Sequence, residues 1–374
     1  MKKILIIFGT RPEAIKMSPV ADLINKNANF ELKVCVSAQH RQMLDQVLNL
    51  FEITPDYDLD VMHPDQSLSD LTGTIITKLN KVMLDCNPDL VLVHGDTATT
   101  FAGALASYFN MIPVGHIEAG LRTNNIYSPW PEEGNRKLTG VLAEHHFAPT
   151  EISKQNLLNE GIDSTKIIVT GNTVIDALHQ IIYKIKDNEK INLSLKKKFN
   201  FLDFKKKTIL ITGHRRESFG DGFERICNAV SKLALKFSDV QFVYPVHLNP
   251  NVKDPVYKVL SNLSNVFLIE PLEYLPFVYL MDLSHIILTD SGGIQEEAPS
   301  LGKPVLVMRD FTERPEAVNA GTVKLVGTNE NLIIENVTKL LLDENEYKKM
   351  NIAHNPYGDG KASQRIVKYL MDSI

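Results

Sequence analysis

The sequence predicts an α/β protein of two Rossmann-like domains with parallel sheets. Short apolar runs alternate with amphipathic stretches: ILIIF, VCVS, LVLVH and VGHIEA in the first half, then TILIT, FVYPVH, VFLIE, HIILT and VLVM in the second. Apolar strands separated by helical stretches are what a parallel sheet covered by helices on both faces requires. An internal duplication divides the strands into two sets. Ile4–Arg11 (ILIIFGTR) and Ile209–Arg215 (ILITGHR) each read as a buried strand, a glycine and an arginine before a helix. At 374 residues the chain is also long enough for two full cores.

Taken in order, the run Ile4 to Phe8 follows Lys2 and Lys3 and is cut short by Gly9, Arg11 and Glu13, so it reads as a first strand and not as a signal peptide. From Tyr183 to Lys207 the chain is rich in lysine and asparagine and loses the strand pattern, and Thr170–Asn172 marks a turn ahead of it. The domain change is therefore expected near residue 170. The turn-rich NPYGDG (Asn355–Gly360) precedes a last helix from about Ala362 to Met371.

Composition narrows the function. The 40 basic and 45 acidic residues are interspersed, and no basic arm points to nucleic acid or an anionic membrane. No later apolar stretch approaches the roughly 18 residues of a membrane helix. Cys35, Cys86 and Cys227 lie far apart with no metal or disulfide spacing, which fits a reducing, cytoplasmic setting. Neither GxGxxG nor GxxxxGK[ST] occurs, so a nucleotide would serve as a substrate handle and not as a nicotinamide or ATP cofactor.

In open parallel sheets ligands gather at the carboxyl ends of strands. The polar residues of interest fall there. Leu288–Glu297 (LTDSGGIQEE) reads as a strand, then Ser291, Gly292 and Gly293, then a helix. Glycines let backbone N–H groups approach a diphosphate, and the helix dipole favours negative charge. Glu297, one turn inside, suits ribose hydroxyls. The competing reading is a serine N-cap followed by dipole-pairing acids. Arg11 and Lys16 follow the first strand, with Pro12 opening the helix; His214 and Arg215, and then Arg314, recur after later strands. A single arginine there could be a surface ion pair, but the repetition favours a shared anion. Asp96 follows LVLVHG, Glu118 follows VGHI, and Glu132 and Glu133 open a helix after Pro129-Trp-Pro131, so carboxylates converge on one sheet edge. Bland roles also exist: an Asp-Thr cap for Asp96, and for Glu132 a bridge to Arg136. Glu118, ending a buried strand, needs a partner. His94 and His116 read as buried histidines before metal ligands, and Trp130 either stacks on a sugar or packs beside its prolines.

The strings FGTRPEAIKM, VHGDT, GHIEAGLRT, YSPWPEE, TGHRRE, TDSGGIQEEAPSLGKPVLV and TERPE, in this order over essentially the whole chain, closely resemble the non-hydrolysing bacterial UDP-N-acetylglucosamine 2-epimerases. The resemblance implies a glycosyltransferase-B-like fold with the active site in the interdomain cleft. The last helix would cross back, giving an N-terminal domain of residues 1–170 plus 362–374 and a UDP-binding domain of 171–361. It further implies a homodimer and interconversion of UDP-GlcNAc and UDP-ManNAc without cofactor or metal. The catalytic set it implies is Asp96, Glu118, Glu132 and His214. The UDP site would comprise Arg11, Lys16, His214, Phe277, Ser291, Gly292, Gly293, Glu297 and Arg314. A second UDP-GlcNAc, an allosteric activator, would meet Gln39, Gln42, Arg215 and His247. At Asp65 several members carry a basic residue that helps hold this activator. Ala98 in GDTAT and Gly134 in PEEGNR are smaller departures.

The C2 hydrogen of such a sugar is not adjacent to a carbonyl, so departure of UDP from C1 must lead or accompany its removal. A 2-acetamidoglucal would follow, then protonation from the opposite face and readdition of UDP, which demands more than one acid/base group. The alternatives are a hydrolysing epimerase, a glycosyltransferase of the same fold and a non-catalytic UDP-sugar sensor.

Overall fold

The computed structural model describes residues 1–38, 41–63, 66–352 and 354–374. They form two compact units, one of Met1–Gln180 with Tyr357–Ile374 and one of Ile181–Pro356; the division falls inside the helix Thr173–Asp187.

Among the described residues the first unit carries strands β1 (Lys2–Phe8), β2 (Phe30–Val36), β3 (Tyr57–Asp58), β4 (Leu90–His94), β5 (Val114–Ile117), β6 (His145–Ala148) and β7 (Ile167–Val169) in the order β3-β2-β1-β4-β5-β6-β7. The second carries β8 (Thr208–Thr212), β9 (Gln241–Pro245), β10 (Val266–Ile269), β11 (Ile286–Thr289), β12 (Val305–Val307) and β13 (Val323–Leu325) in the order β10-β9-β8-β11-β12-β13. Neighbouring strands pair in parallel throughout both sheets. All nine apolar runs read from the sequence became strands. β3, β6, β7 and β13 were not anticipated, being two to four residues long and, in β6, opening on His145-His146.

The strands are buried on both faces. Leu5, Ile7, Val91 and Val93 pack with Ile75, Leu79 and Val82 of the helix Leu68–Cys86 and with Ala102, Ala104 and Ala106 of the helix Ala98–Phe109, while Ile4, Ile6 and Phe8, on the alternate positions, are equally buried. In the second unit Ile209, Ile211, Leu288 and Leu306 join Phe223, Ile226, Val230, Ile333 and Val337 in one core. The last helix, Ala362–Ser373, belongs to the first unit, where the Asp176 carboxylate accepts from the N–H groups of Ala362 (3.1 Å) and Ser363 (2.8 Å) and so caps it.

In each sheet the strand order reverses between two neighbours: β1 and β4 in the first, β8 and β11 in the second. Ligands of doubly wound folds sit at that switch point, outside the carboxyl ends. The turns there carry Arg11 and Asp96 in one unit, and His214 and Ser291 to Gly293 in the other.

Candidate active site

In the first unit β1 ends at Gly9, and Thr10 caps the helix Arg11–Asn25 in a reciprocal capping box with Glu13. Arg11 is thus the first helical residue and Lys16 lies one turn inside. Lys16 Nζ donates to Glu118 Oε1 at 2.5 Å, and Asn172 Nδ2 donates to the same oxygen at 2.9 Å. Glu118 follows β5 with φ 64°, a left-handed conformation that costs a side-chain-bearing residue on the order of 1–3 kcal/mol. Such strain persists where surrounding contacts hold it, and here the carboxylate is 8% exposed and held by two donors at one oxygen. His94 Nε2 approaches Glu118 Oε2 to 3.2 Å, off hydrogen-bond geometry. Burial pushes the His94 imidazole down to about 4. His116, pushed by burial to about 3, donates from Nε2 to the Gly95 carbonyl at 2.7 Å and supports the turn before Asp96. Among the described residues no group of three or more His, Cys, Asp or Glu side chains is arranged to hold a metal ion.

Asp96 is not the helix cap. Thr97 takes that place, its hydroxyl accepting from Thr100 N at 3.2 Å, which leaves the Asp96 carboxylate for Arg136 Nη2. Burial raises the Asp96 carboxyl above the ordinary range; Arg136 opposes this, and the nearby Glu118 and Glu132 add to it. Glu118 and Glu132 therefore each lie within electrostatic reach of Asp96. The expected Glu132–Arg136 bridge is absent: Arg136 spans Asp96 and Glu133 (3.2 Å) instead. Glu133, fully buried, also accepts from the N–H groups of Thr123 (3.1 Å) and Asn124 (3.2 Å), so it shapes the loop and is not presented to a ligand. Glu132 differs, for its buried Oε2 has no hydrogen-bond partner among the described residues. A buried acceptor of that kind calls for a donor. Trp130 is 63% exposed, so it is not packed away beside its prolines.

In the second unit the turn after β8 is fastened to the end of β11 by Asp290, a residue the sequence reading passed over. Its Oδ2 accepts from the N–H groups of His214 (2.6 Å) and Arg215 (2.8 Å), and its Oδ1 lies 3.5 Å from His214 Nδ1. Burial lowers the His214 imidazole, with Asp290 acting against it and His247 and Arg215 with it. The His247 ring stacks on His214 with centroids 5.5 Å apart. His214, Arg215 and His247 are thus brought together; Gln42 is exposed on the helix Arg41–Leu50 of the first unit, and Gln39 and Asp65 lie outside the described residues.

Ser291 occupies the N-cap position of the helix Gly292–Glu297 yet makes no side-chain cap bond, so the capping role weighed for it is not taken up. A Cβ on Gly292 would meet the Arg314 guanidinium at 2.5 Å, whereas one on Gly293 would meet nothing within 4 Å. Gly292 is therefore what lets Arg314 lie over the helix start. Arg314 is held there by Glu296 Oε1 (2.7 Å) and Glu313 Oε1 (2.6 Å). Glu313 also accepts from Arg309 at 2.7 Å, and despite burial these guanidinium groups hold its carboxyl down at about 2. Glu297 Oε1 accepts from the Tyr274 hydroxyl at 2.6 Å. Tyr274 begins the helix Tyr274–Leu283, on which Phe277 is half-buried one turn further along. Arg314, Glu297 and the helix mouth form one cluster, with Phe277 on the helix that Glu297 touches.

The model of the family described as UDP-N-acetylglucosamine 2-epimerase matches residues 22–371. The chain is 60% identical over 368 residues, 98% of either chain, to the UDP-N-acetylglucosamine 2-epimerase of Yersinia pestis. Its structure is similar to the crystal structure of UDP-GlcNAc 2-epimerase from Neisseria meningitidis bound to UDP-GlcNAc, with a TM-score of 0.92 and 59% identity over 99% of this chain and 100% of that one. A glycosyltransferase from Rickettsia africae, 15% identical over 99% and 98% of the two chains, shares the fold with a TM-score of 0.64.

Proposed function

Because the chain belongs to the UDP-N-acetylglucosamine 2-epimerase family and is a sugar-nucleotide isomerase, we propose that its first unit carries the acid–base chemistry at the sugar and its second unit holds UDP. The observation that carries this division is the grouping of Asp96, Glu118 and Glu132 at one switch point, with Arg314, Glu297 and the Gly292-Gly293 helix mouth grouped at the other. The reaction interconverts UDP-GlcNAc and UDP-ManNAc and proceeds by elimination and readdition. UDP leaves C1 with the electron pair of the C–O bond; Arg11, His214, Arg314 and the N–H groups after Ser291 stabilise its charge. A carboxylate takes the C2 proton as the C1–C2 double bond forms. A second group then returns a proton to the opposite face of C2, and the UDP oxygen bonds again to C1. Asp96, whose carboxyl burial holds above its ordinary range, is one candidate for the proton transfer. Glu118, oriented by Lys16 and Asn172, is the other candidate.

Given UDP-GlcNAc alone, the purified protein is expected to produce a mixture of the two UDP-sugars. Accumulation of free N-acetylmannosamine with UDP, or a requirement for an acceptor sugar, would replace this reading with a hydrolase or a transferase. Within the UDP half, Gly292→Ala should push Arg314 aside. Loss of one charge-assisted hydrogen bond is then expected to weaken UDP binding about tenfold or more, measured by calorimetry, with the melting temperature little changed.

The same reading includes a homodimer. It is supported by exposed apolar side chains on neighbouring helices of the first unit: Leu84, Tyr108, Phe109, Leu138 and Val141, with Met111 just beyond. A second UDP-GlcNAc acting as activator is supported by Arg215 and His247 flanking His214. A cytoplasmic setting is supported by three buried free cysteines. Among the described residues no helix is long and apolar enough to cross a membrane.

A further inference from the structure

We propose that Glu13 is a positioning residue that locks the turn after β1, which leads into Arg11, to the turn after β4, which carries Asp96; the proposal rests on the epimerase reading above. Glu13 is 2% exposed. Its Oε2 accepts from the N–H groups of Gly9 (3.0 Å) and Thr10 (2.7 Å), its Oε1 accepts from the Thr97 hydroxyl (2.7 Å), and the Thr100 hydroxyl, which donates to the His94 carbonyl, lies 3.1 Å from that same oxygen. One carboxylate thus joins the two turns on either side of the switch point between β1 and β4. Thr97 adjoins Asp96 and also caps the helix Ala98–Phe109, so its position fixes the start of that helix and the catalytic turn together.

A capping box alone does not explain this residue. The box needs one acceptor for a backbone N–H, and glutamine serves there as well as glutamate. An ionised carboxylate in the interior is costly unless several donors meet it, and burial indeed raises the Glu13 carboxyl against the opposing effect of those donors. What glutamate adds is a second acceptor oxygen, and that oxygen faces Thr97 and Thr100. The turn is otherwise pressed close against its support: a Cβ on Gly9 would stand 2.0 Å from Ser37 Oγ and 2.4 Å from Thr99 Oγ1, two hydroxyls that are themselves bonded at 2.7 Å.

Glu13→Gln therefore separates the two links. The amide oxygen can remain on Gly9 and Thr10, which keeps Arg11 in place, while the NH₂ group turns a donor toward the Thr97 hydroxyl, which was itself donating. Loosening is confined to the Asp96 side. Turnover of UDP-GlcNAc, KM, UDP affinity and thermal midpoint would be measured for the wild type, Glu13→Gln, Thr97→Ala, Thr97→Ser and the double variant Glu13→Gln/Thr97→Ala. The expectation is a fall in kcat of about tenfold or more for Glu13→Gln and Thr97→Ala, near-normal turnover for Thr97→Ser, and UDP affinity within about threefold of the wild type throughout. Because both changes cut one link, the double variant should be within about threefold of the poorer single variant. Losses that multiply in the double variant, or a Glu13→Gln enzyme with unaltered kcat, would overturn the proposal. Should Glu13→Gln fail to fold, equal turnover of Thr97→Ala and Thr97→Ser overturns it instead. An inactive wild type would remove the epimerase reading itself, whereas an active wild type with unaffected variants removes only the role of Glu13.

Discussion

Glu118→Gln is expected to lower kcat by at least about 100-fold with UDP affinity largely unchanged, and Asp96→Asn to do the same. Both substitutions preserve shape and remove the capacity to exchange a proton. For Glu118 the surroundings concentrate the effect on chemistry. Its backbone sits at φ 64° whichever side chain it bears, and Lys16 and Asn172 both donate to Oε1, so an amide can keep its oxygen on that side and its place in the fold. For Asp96 an amide keeps an acceptor for Arg136 but no longer transfers a proton. Groups assigned to UDP lie in the second unit or, as Arg11 and Lys16, on the helix after β1, and the amide oxygen of Glu118→Gln remains an acceptor for Lys16, so binding of UDP measured by calorimetry should be little altered. Turnover near that of the wild type would remove these residues from the acid–base roles.

A second large effect is expected on stability in acid. His94, His116 and His146 are 3%, 0% and 1% exposed, and burial lowers their imidazoles from the ordinary 6.5 to about 4, 3 and 4. Between those values and 6.5 the unfolded chain binds protons that the folded chain does not, so folding stability must fall as pH falls through this window. Above it the imidazoles are neutral in both states and contribute no slope. The three imidazoles together contribute a slope of at most about 4 kcal/mol per pH unit, opposed toward the acid end by the Glu13, Asp96 and Asp176 carboxyls that burial raises, against the roughly 5–15 kcal/mol of a typical folded domain. Equilibrium denaturation at pH 7 and pH 5 checks this. A denaturation midpoint unchanged between the two would contradict the assignment of these histidines as buried and neutral.

The sheets were legible because apolar runs of four or more residues between helical stretches allow little else. The strands that escaped notice are those with too few residues to show a period, such as Tyr57–Asp58, or with histidines where apolar residues were sought, as in His145–Ala148. Arg11, Asp96, Glu118, His214 and Ser291 to Glu297 were legible for a related reason: each follows a recognisable strand, where a parallel sheet collects its ligands, while Glu132 was read from the helix that opens after Pro129-Trp-Pro131. Asp290 stood in the same position and could have been found by that rule. Arg136 and Asn172 could not, since their partners Asp96 and Glu118 lie 40 and 54 positions away in sequence. Local spacing instead suggested that Arg136 would pair with Glu132 one turn away, whereas the fold offered it the buried Glu133 and the carboxylate after β4. Glu13 looked like half of a capping box until Thr97 and Thr100 arrived from the start of another helix.

The most direct test of elimination and readdition at the sugar is to incubate the protein with UDP-GlcNAc in D₂O and follow the C2 position by proton NMR. The carboxylates at the first switch point must exchange the C2 proton with solvent on each turnover, so UDP-ManNAc should accumulate with deuterium at C2. Conversion that retains protium at C2, or no conversion at all, would contradict the account.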